Sequence, residues 1–142
     1  MRWSRVVIDT NVVVSGTITP IGNSARILDL ALAGDLTILY DERILGEYDD
    51  VLRHPRFGLN PRDVTSFVEF IRAEGEFVPA KPLAISLPDP KDLPFLEVAV
   101  AGQAQALVTG NARHFRASLD AHCVNVVTPA EFLVPLNQTD DR

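Results

Sequence analysis

Val6-Val7-Ile8-Asp9-Thr10-Asn11-Val12-Val13-Val14-Ser15-Gly16 contains the passage on which the fold is read. With Arg5, its first part is a continuous β-branched run of strand length, and Asp9 ends it. A run without polar alternation reads as a strand covered on both faces. Similar runs stand at residues 36–40 (LTILY), 106–109 (ALVT) and 124–128 (VNVVT). Helical patterns lie between them. Residues 24–33 put Ile27, Leu28, Ala31 and Leu32 on one side, with Ser24 as the expected cap and Gly34 as the stop. Residues 41–52 place Ile44, Leu45, Tyr48, Val51 and Leu52 at helical spacing. Residues 61–73 and 93–101 complete the set, and Pro94 is tolerated in a first turn. Strands alternating with helices predict an α/β fold, a three-layer α/β/α sandwich around a mostly parallel sheet of four to five strands. Residues 77–87 read equally as a strand or as an extended crossing segment.

The chain has 142 residues, enough for one domain with a core. Residues 1–136 are expected to form that domain, and 137–142, short and polar, a loose tail. No apolar run approaches the roughly 20 residues of a membrane-spanning helix. Asp9 interrupts the apolar stretch that follows the basic start, which argues against a signal peptide. The single cysteine, Cys123, rules out an internal disulfide and a thiolate zinc cluster, so a cytoplasmic location is expected. A formal charge of −6 argues against broad electrostatic binding of nucleic acid unless clustered carboxylates hold cations.

Sites in open parallel sheets form outside the carboxyl ends of the strands. Asp9 ends one such strand, Thr109-Gly110-Asn111 ends another, and Asp92 opens the helix leading into the second. Taken singly, each acid has an ordinary structural reading: Asp9 as an Asx turn or cap, Asp92 as a helix N-cap, Asp89 as a turn former before Pro90. Glu47 and Asp49 flank the apolar arc of their helix on opposite sides, and wheel geometry does not choose between them. No GxGxxG and no Walker loop is present. His54, His114 and His122 lack metal-ligand spacing, and adjacent His122 and Cys123 would point to opposite faces of a strand.

Together, VVIDTNVVVSG (residues 6–16), ERILGEYDDVL (42–52), LPDPKDLPFLEVAVAGQAQALVTGNARHF (87–115) and VVTPAEFL (126–133) resemble the successive motifs of PIN domains. The group most similar is that of toxin components of toxin–antitoxin systems, relatives of VapC-type toxins. The resemblance spans most of the chain, and the order and spacing of the motifs carry more than any one of them. It implies a PIN-like sandwich and a ribonuclease that uses Mg²⁺ or Mn²⁺. Asp9 matches the aspartate ending the first strand, Glu47 the glutamate of the EY segment, and Asp92 the second aspartate of the DPxD string. These three are the expected catalytic residues and metal ligands, directly or through water. Asn111 stands where many PIN domains carry a fourth acid, which leaves a second metal position less well supplied with charge. Leu93-Pro94 replaces polar residues often found after that string. Asp89 and Asn111 are expected to be supporting residues, and Asn11 to orient Asp9 or a metal-bound water.

The residue types suit that chemistry. Mg²⁺ and Mn²⁺ are hard cations that prefer carboxylate and water oxygen. The ion lowers the pKa of an attacking water and offsets charge developing on the phosphate. Acids converging without a cation raise one another's pKa. For RNA contacts, the candidates are Arg53 and Arg56 in RHPR after the Glu47 helix, and Arg113 and His114 in RHFR after Asn111, with Phe115 a stacking surface or a core residue. The resemblance further implies an antitoxin protein partner and is compatible with a homodimer. A rival reading keeps the fold as a non-catalytic module binding RNA or protein.

Overall fold

A computed structural model of the chain describes residues 4–116 and 124–139. Strand β1 (Arg5–Ile8) leads into α1 (Thr10–Ile18) and α2 (Asn23–Leu32), and β2 (Thr37–Tyr40) into α3 (Glu42–Leu52) and α4 (Pro61–Glu74). From β3 (Glu76–Phe77) an extended segment and a 3-10 turn, Pro90–Asp92, reach α5 (Leu93–Ala101). Then come β4 (Ala106–Val108), α6 (Ala112–Arg116), β5 (Val126–Val127) and α7 (Pro129–Thr139). The sheet order is β3-β2-β1-β4-β5, and every described pair is parallel, as the unalternating apolar runs require.

Connections through β2 and β3 step along the sheet one way, and those through β4 and β5 the other. Right-handed crossovers therefore put α1–α4 and α5–α6 on opposite faces, which makes the three layers. β1 and β4 lie at the centre, and Val6, Val7, Ile8, Ala106, Leu107 and Val108 are wholly buried between the layers. No helix among the described residues is long and apolar enough to cross a membrane. Helix α7 runs to Thr139, and the last three residues of the expected tail lie outside the described residues.

Three local features were not settled by the sequence. Nothing in Val12-Val13-Val14 marks a helix, yet these residues lie in α1. A β-branched residue costs a few tenths of a kcal/mol in a helix, whereas burying a valine side chain stabilises by about 1.5–3 kcal/mol. Burial of Val12 and Val13 wins. Gly22, at a φ of 136° that an L side chain would rarely adopt, is the N-cap of α2, and no side chain caps the helix; Ser24 falls inside the first turn instead. Gly34 does stop it: at φ 86° its N–H reaches the Ala31 carbonyl and the Asp35 N–H that of Leu30. Residues 77–87 make one further ladder bond, Val78 N–H to the Tyr40 carbonyl, and no strand follows. Pro79 and Pro82 remove the donors that a strand would need.

Gly16 allows α1 and α2 to touch. A Cβ there would lie 2.6 Å from Leu28 Cδ1 and 2.9 Å from the Ser24 carbonyl oxygen. Gly16→Val is expected to destabilise by about 1–3 kcal/mol through overpacking. Thermal denaturation followed by circular dichroism checks this, and an unchanged Tm contradicts it.

Candidate metal centre

The centre is built where the sheet order reverses direction, between β1 and β4. Register sets Ile8 beside Val108, so Asp9 and Thr109 leave the sheet as neighbours. The Asp9 N–H bonds the Val108 carbonyl at 2.9 Å, and the Thr109 N–H bonds that of Val127 at 2.9 Å. Asp9 caps α1 by accepting the Thr10 N–H at 2.8 Å on Oδ1. Its Oδ2 accepts the Thr109 hydroxyl at 2.7 Å, and that hydroxyl accepts the Asn111 N–H at 3.0 Å. The Thr10 hydroxyl donates to Glu47 Oε2 on α3, and the Tyr48 hydroxyl donates to the Ile8 carbonyl. These bonds hold α3 over the carboxyl end of β1.

Asp9 is 4% exposed. Burial pushes its carboxyl up to about 6; the Thr109 and Thr10 hydrogen bonds oppose the rise, and the charges of Asp92 and Glu47 add to it. Asp92, half-buried at the start of α5, is also raised, first by burial and then by the charge of Asp89. His114 pulls it back down, and Glu47 pushes it further up. Asp9, Glu47 and Asp92 thus lie within electrostatic reach of one another.

An oxygen-only set of mutually repelling carboxylates suits a hard divalent cation. Among the described residues, no three acid, histidine or cysteine side chains converge closely enough to enclose an ion by themselves. Carboxylates at this spacing suit an ion that some of them would hold directly and the others through water, the habit of Mg²⁺.

The model of the PIN domain family matches residues 5–113. The chain belongs to the PIN domain family. No curated protein matches it. Among solved structures it is similar to VapBC2 from Rickettsia felis bound to a DNA fragment from their promoter, with a TM-score of 0.57 and 18% sequence identity. That match covers 87% of this chain and 98% of the other, and it is a likeness of fold.

Within this PIN domain the two sides of α3 separate. Glu47 turns to Thr10 beside Asp9, whereas Asp49 pairs with Arg53 at 2.9 Å. Asp92 makes no side-chain cap bond, so capping does not account for it. Asp89 is exposed and accepts the Lys91 N–H at 2.9 Å, a turn-forming role that leaves its charge near Asp92. Asn11 makes no bond to Asp9; its Oδ1 accepts the Gly110 N–H at 3.2 Å and ties α1 to the loop after β4. Asn111 is exposed in that loop.

Of the candidate RNA contacts, His114 lies within electrostatic reach of Asp92, and exposed Arg113 has no partner among the described residues. Arg53 is engaged by Asp49, the Pro61 carbonyl and Thr65, and Arg56 lies 4.7 Å over the Phe57 ring. Phe115 is fully buried, which decides between its two readings in favour of the core: α6 turns that ring inward. Arg116 pairs with Glu131 and the Val126 carbonyl. His122 and Cys123 lie outside the described residues.

Sequence reasoning missed the hydroxyls of Thr10, Thr109 and Tyr48. A threonine following the aspartate at one strand end, and another at the neighbouring strand end, was the available signal.

Proposed function

We propose that this PIN domain is a Mg²⁺- or Mn²⁺-dependent endoribonuclease, the toxin of a toxin–antitoxin pair, working in the cytoplasm under the control of a protein antitoxin. Asp9, Glu47 and Asp92 are its catalytic, cation-binding residues, with Asn11, Asp89 and Asn111 supporting them. The observation that carries the reading is a buried Asp9 carboxylate facing the charges of Glu47 and Asp92 at the switch point of the sheet. Such convergence is costly unless a cation offsets it. Family membership supports a hydrolase of nucleic acid. The similarity in fold to VapBC2 supports the antitoxin partner, and a homodimer is compatible with the same reading.

A bound cation would supply a water of lowered pKa and offset charge developing on the scissile phosphate. Thr10 and Thr109 hold the Glu47 and Asp9 carboxylates in one orientation, so less reorganisation is needed when substrate arrives. Asn11 and Asn111 fix the loop after β4. Arg113 and His114 contact the RNA backbone beside Asp92, and Arg53 and Arg56 extend that contact along the α3–α4 hairpin. Arg113→Ala is expected to weaken RNA binding at all sequences and to lower the slope of log affinity against log salt by about 0.7. Fluorescence anisotropy in EDTA reads this, and an unchanged slope argues against phosphate contact.

Asn111 favours a second reading, a PIN-fold module that binds RNA or protein without cutting, because a neutral side chain stands where a fourth acid is common in the family. Incubation with a mixed RNA pool, with and without Mn²⁺ and with DNA as competitor, separates the two. Cation-dependent fragmentation of RNA supports the nuclease. Binding that persists in EDTA and leaves RNA intact at every Mn²⁺ concentration supports the module.

A further inference from the structure

Glu97 is a buried carboxylate that this scheme does not use. It sits on α5 at 4% exposure, in the otherwise apolar run Phe95–Ala99. Its Oε1 accepts Arg43 Nη1 at 2.7 Å, and its Oε2 accepts the Leu83 N–H at 2.8 Å. Arg43 in turn holds Asp41, the N-cap of α3, with Nη2 to Oδ2 at 2.7 Å. Three pieces of chain therefore meet at one carboxylate: α5, the first turn of α3, and the extended segment that runs on to Asp89 and Asp92. Each piece carries or delivers an acid of the centre. Glu47 lies one turn after Arg43 on α3, Asp92 immediately precedes α5, and Tyr48 meets Phe95 across the two helices at a ring separation of 6.3 Å.

Stability alone is a weak reason for this arrangement. Glu97 is desolvated while the Arg43 side chain stays about half exposed, so the cost of burying the carboxylate offsets much of the attraction, and well-packed apolar residues commonly serve as well or better. A charged clamp does supply direction, because the Arg43 fork and the Leu83 N–H fix both oxygens of Glu97. We propose that Glu97 is a positioning residue for the cation centre, setting Asp92 relative to Glu47 by clamping α5 and the segment before it to α3. The proposal rests on the reading of Asp9, Glu47 and Asp92 as cation ligands.

Isothermal titration of the full chain with Mn²⁺ tests it, using the wild type, Glu97→Gln, Arg43→Lys and Asp92→Asn. Glutamine keeps an acceptor for the Leu83 N–H but loses the ionic bond to Arg43. Lysine keeps the charge but not the fork that spans Asp41 and Glu97. Glu97→Gln is expected to bind Mn²⁺ about tenfold or more weakly, the usual size for outer-shell groups around a metal. Arg43→Lys should lose affinity in the same direction, and raising Mn²⁺ should restore the cleavage rate of both. If either variant loses its fold, the other decides. Wild-type Mn²⁺ affinity in the folded variants, with only Tm reduced, overturns the proposal and leaves Glu97 as an anchor. Mn²⁺ binding that Asp92→Asn leaves intact overturns the reading of the centre instead, and no binding by the wild type overturns both.

Discussion

Asp9→Asn is expected to reduce cation-dependent RNA cleavage by two to four orders of magnitude (about 1.4 kcal/mol per tenfold) while stabilising the cation-free protein near neutral pH. Losing a ligand removes several kcal/mol of charge stabilisation from the transition state. The opposite effect on stability follows from burial. The Asp9 carboxyl is pushed up to about 6 from an ordinary 3.8, so the folded state binds its proton more tightly than the unfolded state. Its contribution to stability is therefore fully present below the unfolded value and is lost as pH rises to the folded one. Across that window the loss is about 3 kcal/mol. Asparagine carries no charge at any pH, and the hydrogen bond it weakens costs about 1 kcal/mol. Urea denaturation in EDTA at pH 4.5 and 7.5 checks the sign. The advantage of Asp9→Asn should grow by about 2 kcal/mol between the two, and a constant difference contradicts the account.

The second large effect separates two acids that sequence could not. Glu47→Gln is expected to lower Mn²⁺-dependent cleavage by about two orders of magnitude or more. Asp49→Asn is expected to leave it within about twofold, because the Asp49–Arg53 pair is a solvent-facing bond worth only about 0.3–0.5 kcal/mol. Parallel rate measurements at saturating Mn²⁺ suffice. Equal losses in both variants would place the helix α3 ligand on the wrong side.

The helical wheel of α3 is symmetric about its apolar arc, so only tertiary contact with Thr10 selects Glu47. The i,i+4 spacing of Asp49 and Arg53 was the one local clue, since it gives Asp49 a partner of its own. The sheet was more legible. β1, β2 and β4 are buried on both faces, and a short continuous apolar run is the direct imprint of that burial. Helix α1 was not, because the burial that overrides the β preference of Val12-Val13-Val14 belongs to the assembled layers. Phe115 illustrates the same limit: RHFR allows its ring to be an RNA surface or a core residue, and only the packing of a five-residue helix points it inward. The Asp9 and Asp92 positions came from strand and helix ends together with the family resemblance. The threonine hydroxyls that orient the acids depend on parallel register across residues far apart in sequence, which no local pattern encodes.

The Asp9, Glu47 and Asp92 carboxylates are proposed to bind a divalent cation used to cut RNA. The most direct test is a Mn²⁺ titration of RNA-pool cleavage at pH 7.5 by the wild type and by Asp92→Asn, with folding verified by circular dichroism. The expected result is saturable, EDTA-sensitive cleavage by the wild type and its loss in folded Asp92→Asn. Cleavage that proceeds at the same rate in EDTA, or that survives in Asp92→Asn, would contradict it.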